Sequence, residues 1–265
     1  RRQRQMCIRD SYLTGGDPIL HPDFWELLRM FKADGTRFCI MGNPFHLTDD
    51  VCKRMKDCGC VKYQLSLDGS EKTHDMFRKP GSFAATIKAI GTIKRSGMWC
   101  AVMSTVSKTN MHEIPALIDL ADEMGVDVFA VGRYCPTSMD KAYDKDIHIP
   151  PPEYREFLQA CWEKYEQHKD SKTTFQLKDH LWSLFLWEKG LLKIPADGGI
   201  TDGCNCGRNH ITILLNGDIY ACRRMESKVG NIKESDLYDI WNGDRMNTYR
   251  QYDKFTKCGK CELKG

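Results

Sequence analysis

Thirteen of the 265 residues are cysteine, and their spacing sorts them into groups that could do different chemistry. Cys204-x-Cys206 is followed by ten residues and then Gly217-x4-Cys222, and a last pair, Cys258-x2-Cys261, stands close to the final residue. Thiolates at such spacings suit zinc or an iron–sulfur cluster, and both ask for about four ligands. Cys222 with one or both of Cys204 and Cys206 could serve one site, and Cys258 with Cys261 another; neither set is complete within the chain. An odd number of cysteines cannot all pair as disulfides in one chain. Cys39, Cys52, Cys58, Cys60, Cys100, Cys135 and Cys161 stand in strands, on helical faces or at isolated loop positions, and most are expected to pack as small core residues. Cys58-x-Cys60 falls in a helix-to-strand turn with no partner pair nearby, so packing is expected there too. His21, His74, His112 and His210 form no ligand-like group, and none is assigned a role.

A second candidate is Gly15-Gly16-Asp17-Pro18. Paired glycines let the backbone approach a ligand closely, and a carboxylate beside them can hold an ammonium group. Comparable small, polar stretches recur at Gly42 to Pro44, Ser66 to Gly69, Ser104 to Asn110 and Gly132 to Pro136.

The elements between these stretches explain the recurrence. "HPDFWELLRMFKADG" puts Phe24, Leu27, Leu28 and Phe31 on one helical face with Gly35 to stop it. "RFCIMGN" reads as a strand and "LTDDVCKRMKDCG" as a helix capped by Thr48. "VKYQLSLDG" is the next strand; "SFAATIKAIGTIKRSG" is a helix with Phe83, Ile87 and Ile90 aligned. "MWCAVMSTV" follows as a strand, then a helix with Ile114, Leu117, Ile118 and Ala121 in register, then the strand "VDVFAVGRY". Such alternation predicts parallel strands joined by right-handed crossovers, an α/β fold that is a barrel or part of one. In that fold ligands gather at the carboxyl ends of strands, where all five polar stretches fall. Beyond a proline-rich connection, Tyr154, Phe157, Leu158, Cys161 and Tyr165 mark another amphipathic helix. "LWSLFLWEKGLL" bridges to a region, from Gly203, of cysteines, short strands and an Asn216-Gly217 hairpin turn that returns Cys222 toward Cys206.

Composition narrows the function. A net charge of +3 is spread over mixed-sign surface, with no basic run interleaved with aromatics, so nucleic acid is not expected. No stretch approaches the roughly 20 apolar residues of a membrane helix, and no secretory leader is visible, which predicts no membrane association and a cytoplasmic setting. The opening "RRQRQMCIRD" fits nothing downstream and is similar to a translated sequencing adapter, so residues 1–10 are read as a non-native scar.

"YLTGGDPILHPDFWELL" resembles the Gly-Gly-acidic motif of radical S-adenosylmethionine (SAM) enzymes. "MGNPFHLTDDVCKRMKDCGCVKYQLSLDGSEKTHDMFRKPGSF" is similar to that superfamily's next strand, helix and strand. Cys206-x10-Gly217-x4-Cys222, then "VGNIKESDLYDIW", then Cys258-x2-Cys261, resembles the SPASM domain pattern, with its remaining cysteines expected past Gly265. The superfamily's Cys-x3-Cys-x2-Cys is absent and is expected upstream of Ser11, so the chain as it stands is expected to be inactive.

The resemblance implies a partial (β/α)6 TIM-like barrel over residues 11–168, a bridge over 169–202 and a SPASM-like unit over 203–265. It implies SAM and a catalytic [4Fe-4S] cluster held by the upstream segment, with one or two auxiliary [4Fe-4S] clusters on Cys204, Cys206, Cys222, Cys258 and Cys261. Gly15, Gly16, Asp17 and Pro18 would bind the methionine amino group; Asp17 replaces the more frequent Glu. Ser66 and Asp68 would touch the ribose or carboxylate, and Arg78 and Arg133 are further carboxylate candidates. Taken alone, Ser66 and Asp68 read as an ordinary turn and the arginines as surface ion pairs. No residue is assigned as catalytic acid or base. The chemistry implied is hydrogen-atom abstraction by a 5′-deoxyadenosyl radical, with electrons from a flavodoxin or ferredoxin. The substrate implied is a peptide or protein. Sulfatase maturation is disfavoured because Arg223 stands where those enzymes carry an Asp after Cys222. Alternatives are a small-molecule or tetrapyrrole substrate, or a zinc-stabilised module with no redox role.

Overall fold

The computed structural model describes residues 11–135, 147–193, 206–251 and 254. The chain divides into one unit of residues 1–134 with 144–179, and a second of 135–143 with 180–265.

The first unit is built on a six-stranded sheet whose strands lie in sequence order. They are β1 (Ser11–Leu13), β2 (Phe38–Met41), β3 (Cys60–Ser66), β4 (Trp99–Val106), β5 (Val128–Arg133) and β6 (Thr174–Gln176). Every neighbouring pair is parallel, with Ser11 opposite Phe38, Lys62 opposite Trp99, Ala101 opposite Val128 and Val128 opposite Thr174. Parallel strands are covered on both faces, so they read as near-continuous apolar runs. Accordingly Cys100, Ala101, Val102, Met103, Ser104 and Val106 of β4 are all buried. The expected α/β class is therefore the observed one.

Among the described residues six α-helices connect or cover these strands: α1 (Phe24–Ala33), α2 (Asp49–Asp57), α3 (Glu71–Phe77), α4 (Ser82–Arg95), α5 (Ile114–Glu123) and α6 (Pro151–Gln167). Thr48 caps α2 as expected, its hydroxyl accepting from Val51 N at 3.2 Å. The α5 stripe Ile114, Leu117, Ile118 and Ala121 is buried throughout, as are Tyr154, Phe157, Leu158, Cys161 and Tyr165 of α6. Those two helices are tied at their edges: Lys164 Nζ and His168 Nε2 lie 2.7 and 2.8 Å from the Asp119 carboxylate. His168 Nδ1 lies 3.0 Å from Asp122.

Two elements differ from the sequence expectation. Helix α4 buries Thr86, Ala89, Ile90 and Ile93, while Phe83 and Ile87 are only half-buried. The rotation follows from its start: the Asp75 carboxylate in α3 accepts from Gly81 N and Phe83 N at 2.6 and 2.8 Å, which turns the Phe83 ring toward His74. Strand β6 carries too few residues for a visible period. It is held by Phe175, which stacks on Tyr165 with ring centroids 4.9 Å apart and meets Phe129 edge-on.

The second unit contains α7 (Leu181–Glu188) and a three-stranded antiparallel sheet of β7 (Thr212–Ile213), β8 (Asp218–Tyr220) and β9 (Lys228–Asn231). Helices α8 (Leu237–Asn242) and α9 (Asp244–Thr248) follow. The expected hairpin is present: Gly217 takes φ +89°, open to glycine at little cost, and Asn216 Oδ1 accepts from Asp218 N at 3.0 Å. Ile219, Ala221, Val229, Ile240 and Met246 form its core.

The isolated cysteines of the first unit pack as expected: Cys39, Cys52, Cys58, Cys60, Cys100 and Cys161 are all buried. Burial pushes the Cys161 thiol up to about 12, which keeps it neutral. Cys161→Ser puts a hydroxyl in this apolar place and is expected to cost about 1–3 kcal/mol in urea unfolding, with the iron content of reconstituted protein unchanged.

Candidate functional site

A cavity of about 330 Å³ opens at the carboxyl ends of the first three strands. Its walls include Asp17 after β1, Gly42, Asn43 and Pro44 after β2, and Ser66 at the end of β3. Arg78 and Lys79, just past α3, complete it together with Ser82 and Thr86 of α4. The topology accounts for this gathering, because parallel strands in sequence order bring successive βα loops to one edge.

Asp17 is the anion of the cavity. Its side chain is 2 % exposed, with Asn43 N at 3.4 Å and His46 Nδ1 at 3.3 Å from its two oxygens. Burial raises its carboxyl above the ordinary range, opposed by the Asn43 N–H and by His46. Beside it the backbone is bare: a Cβ placed on Gly15 or Gly16 would meet nothing within 4 Å. Gly42 is different, since a Cβ there would lie 2.2 Å from Tyr63 Oη and 2.9 Å from the Asp17 carboxylate. Its missing side chain lets Tyr63 donate to Asn43 O at 3.0 Å and lets Asp17 sit beside it.

Arg78 is a cation on the wall, and Asp68 holds it. The Asp68 carboxylate, 2 % exposed, accepts from Arg78 Nε and Nη2, both at 2.8 Å, and from Thr105 N at 2.8 Å. A buried network supports the carboxylate from behind. His74 Nδ1 accepts from Asp68 N at 3.1 Å, and Asn110 Nδ2 donates to Asp68 O at 2.6 Å and to Thr105 O at 2.9 Å. The accepting Nδ1 requires a neutral imidazole, and burial lowers the His74 pKa to match. The Lys79 ammonium lies 3.5 Å over the Phe45 ring beside the same cavity.

The structure thus brings Asp17, Ser66 and Arg78 to one cavity, places Gly15, Gly16 and Pro18 next to Asp17, and sets Asp68 behind Arg78. Arg133 stands apart from it, 3.4 Å from Asp179 and over the Tyr154 ring. Sequence reasoning missed His46, His74 and Asn110. Only contacts distant in sequence give these residues meaning, and an alignment of the loops after each strand was the one signal that could have found them.

In the second unit Cys206 and Cys222 are both half-exposed. Cys206 is fixed by its neighbour: Arg250 Nε donates to Gly207 O at 2.6 Å and Nη2 to Trp241 O at 2.8 Å. Cys222 is fixed by buried Ser227, whose hydroxyl accepts from Cys222 N at 3.0 Å and donates to Cys222 O at 2.8 Å. Both thiols lie within electrostatic reach of Tyr249, whose hydroxyl is raised by burial and then by their charge and that of Glu226. Arg224 N donates to Cys222 Sγ at 3.4 Å. Thiols held by backbone anchors and met by N–H donors suit a cluster, whose potential depends on such bonds to sulfur. Cys204, Cys258 and Cys261 lie outside the described residues. Among the described residues no three His, Cys, Asp or Glu side chains are gathered closely enough to hold a single metal ion. No helix among them is long and apolar enough to cross a membrane.

An α/β sheet with an ammonium-sized anion site at its strand ends, joined to a cysteine-bearing antiparallel unit, defines a two-part enzyme class. The chain belongs to the radical SAM superfamily and carries its SPASM domain. The Radical SAM superfamily matches residues 1–121, and the SPASM iron-sulfur cluster-binding domain matches residues 204–262. The AdoMet-dependent heme synthase of Methanosarcina barkeri is 29 % identical over 95 % of this chain and 74 % of its own length. The mycofactocin maturase MftC of Mycobacterium ulcerans is 25 % identical over 94 % of this chain and 66 % of its own. Streptococcus suis SuiB, solved with S-adenosylmethionine, shares the fold with a TM-score of 0.74 at 21 % identity, covering 96 % of this chain and 60 % of its own. Membership implies SAM and [4Fe-4S] clusters as the family's cofactors.

Two outcomes test the cavity. Gly42→Ala is expected to drive Tyr63 off Asn43 O and destabilise the fold by about 1–3 kcal/mol, read by urea melts. For His74 the folded pKa lies below 6.5, so the unfolded chain binds the extra proton first as pH falls. Its contribution is complete above pH 6.5 and is lost below it; His74→Gln, which keeps an acceptor, is expected to flatten that part of the melting-temperature profile.

Proposed function

We propose that this chain is the SAM-binding and auxiliary-cluster part of an enzyme that abstracts a hydrogen atom from its substrate. The observation that carries the reading is the cavity with the buried Asp17 carboxylate on one wall and the anchored Arg78 guanidinium on another. An amino-acid zwitterion needs both charges, and the methionyl end of SAM is one. In this reading Asp17 takes the ammonium, with His46 and Asn43 N keeping the carboxylate aimed. Bare Gly15 and Gly16 leave room for the ligand's backbone approach, Arg78 takes the carboxylate, and Ser66 offers a hydroxyl beside it. Asp68 acts by holding Arg78, and Arg133 by its pair with Asp179. The bound cofactor supplies the hydrogen-abstracting chemistry; the protein's part is placement and exclusion of water.

For the substrate we propose a tetrapyrrole ahead of a peptide. The heme synthase has the higher identity and is covered over more of its length than the mycofactocin maturase. This reverses the order the motifs suggested, and the maturase match supports peptide modification as the second reading. A flavodoxin- or ferredoxin-type donor and a cytoplasmic setting go with either.

Asp17→Asn removes one charge-assisted hydrogen bond, worth about 1.5–3 kcal/mol, and is expected to weaken SAM binding about 10- to 100-fold in equilibrium dialysis. Unchanged affinity overturns the assignment of the cavity. The natural reading frame around this chain, reconstituted anaerobically, is expected to form 5′-deoxyadenosine in response to a tetrapyrrole. A response only to a precursor peptide reverses the substrate order.

A further inference from the structure

The cavity wall carries a second cation that the proposed cofactor does not use. Lys79 stands next to Arg78 on that wall, and its ammonium lies 3.5 Å over the Phe45 ring. Among the described residues no carboxylate comes within ion-pair distance of it, whereas Arg78 is held by Asp68. The base of the Lys79 arm is fixed. Pro80 restricts the backbone before it, Ser82 N donates to Lys79 O at 3.1 Å, and the Asp75 carboxylate ties down Gly81 N and Phe83 N just beyond. Its aromatic neighbour is no core residue: Phe45 and Leu20 are 42 % and 64 % exposed, and both line the cavity. One exposed apolar side chain needs no explanation. Two at the mouth of a charged cavity, one of them under an ammonium, make a surface that is apolar and positive together.

Charge decides what such a surface can take. SAM carries an ammonium, a carboxylate and a sulfonium. In the proposed reading Asp17 takes the first and Arg78 the second, so the charge left over on the cofactor is positive and the Lys79 ammonium repels it. The anion for Lys79 must come from a second ligand. We propose that Phe45 and Lys79 form a substrate subsite at the mouth of the SAM cavity, in which the ring packs against the apolar face of a tetrapyrrole and the ammonium pairs with one of its carboxylate side chains. The inference rests on the reading of the cavity as the SAM site and deepens the proposed order of substrates. A flat aromatic ligand with acids at its edge meets both features at once, stacking on the Phe45 ring while its acid reaches the cation beside it. A peptide would have to bring an apolar and an acidic side chain to the same fixed spacing.

The test uses the natural reading frame around this chain, reconstituted anaerobically, with mesoporphyrin as the carboxylate-bearing probe and a pyridinium-substituted porphyrin as its cationic counterpart. Porphyrin affinity is read by absorbance titration with SAM present, and SAM affinity by equilibrium dialysis, for the parent, Lys79→Gln, Lys79→Arg, Phe45→Leu and Asp17→Asn. Because Lys79 and Phe45 are exposed, their variants are expected to fold as the parent does, checked by circular dichroism. Lys79→Gln is expected to bind mesoporphyrin about two- to fivefold more weakly, the scale of an exposed ion pair, to bind the cationic porphyrin no more weakly, and to hold SAM at least as well as the parent. Lys79→Arg, which keeps the charge, restores mesoporphyrin binding, and Phe45→Leu weakens both porphyrins alike. Parent-like mesoporphyrin affinity in Lys79→Gln overturns the inference, and so does a loss of SAM affinity in that variant, which would give Lys79 to the cofactor instead. A parent that binds neither porphyrin, while Asp17→Asn loses SAM, removes the inference and leaves the cavity as the SAM site. If Asp17→Asn keeps SAM, the reading of the cavity falls and the inference with it.

Discussion

A carboxylate shut away from water must be met by a cation or by several N–H donors, and Asp68 is met by both. Its oxygens accept two bonds from Arg78 and one from Thr105 N, while its backbone is tied to His74 and Asn110. Asp68 is buried while Arg78 reaches solvent, so losing Arg78 leaves a buried carboxylate with Thr105 N as its remaining donor among these groups, and the arrangement is held as a unit. Much of the cavity depends on it. Arg78 faces the cavity because Asp68 fixes its guanidinium; α3 sits where His74 can accept from Asp68; and Asp75 on the same helix caps α4, which sets the face that Thr86 presents.

The opposite wall is organised by absence of side chains. Gly42 lets the Tyr63 hydroxyl and the Asp17 carboxylate approach the same point, and Gly15 and Gly16 leave open space next to the acid. One wall is therefore held by polar groups that satisfy one another, while the other leaves open space beside its carboxylate. A zwitterionic ligand needs both, since two charges of opposite sign recognise it only while their separation stays fixed.

What the sequence revealed follows a physical division. Periodicity found β2, β3, β4 and β5, the buried stripes of α5 and α6, and the hairpin at Asn216-Gly217, because each is encoded within a few residues of itself. The Gly-Gly-Asp and cysteine spacings were legible for the same reason. The hold of Asp68 on Arg78 could not be read, because the pairing spans a loop and a helix. The anchoring of His74 and Asn110 was likewise invisible, each depending on an atom brought close only by the fold. Strand β6 was missed because three residues carry no period, and α4 turned from its expected face because its cap comes from another helix.

The second unit shows why cysteines belong there. Its core of Ile219, Ala221, Val229, Ile240 and Met246 is small, and apolar burial on that scale offers a domain of this size little margin over the entropy of ordering it. Much of its remaining order is spent on two sulfurs: Arg250 holds the Gly207 carbonyl beside Cys206, and Ser227 clasps the Cys222 peptide from both sides. Such anchoring brings no apolar burial of its own. In the proposed reading its return comes when the thiolates bind iron, for then ligand binding free energy becomes folding free energy. The first unit needs no such support, having a covered parallel sheet. On that reading the chain joins a part made stable by its core to a part whose stability is bound up with the group it would carry.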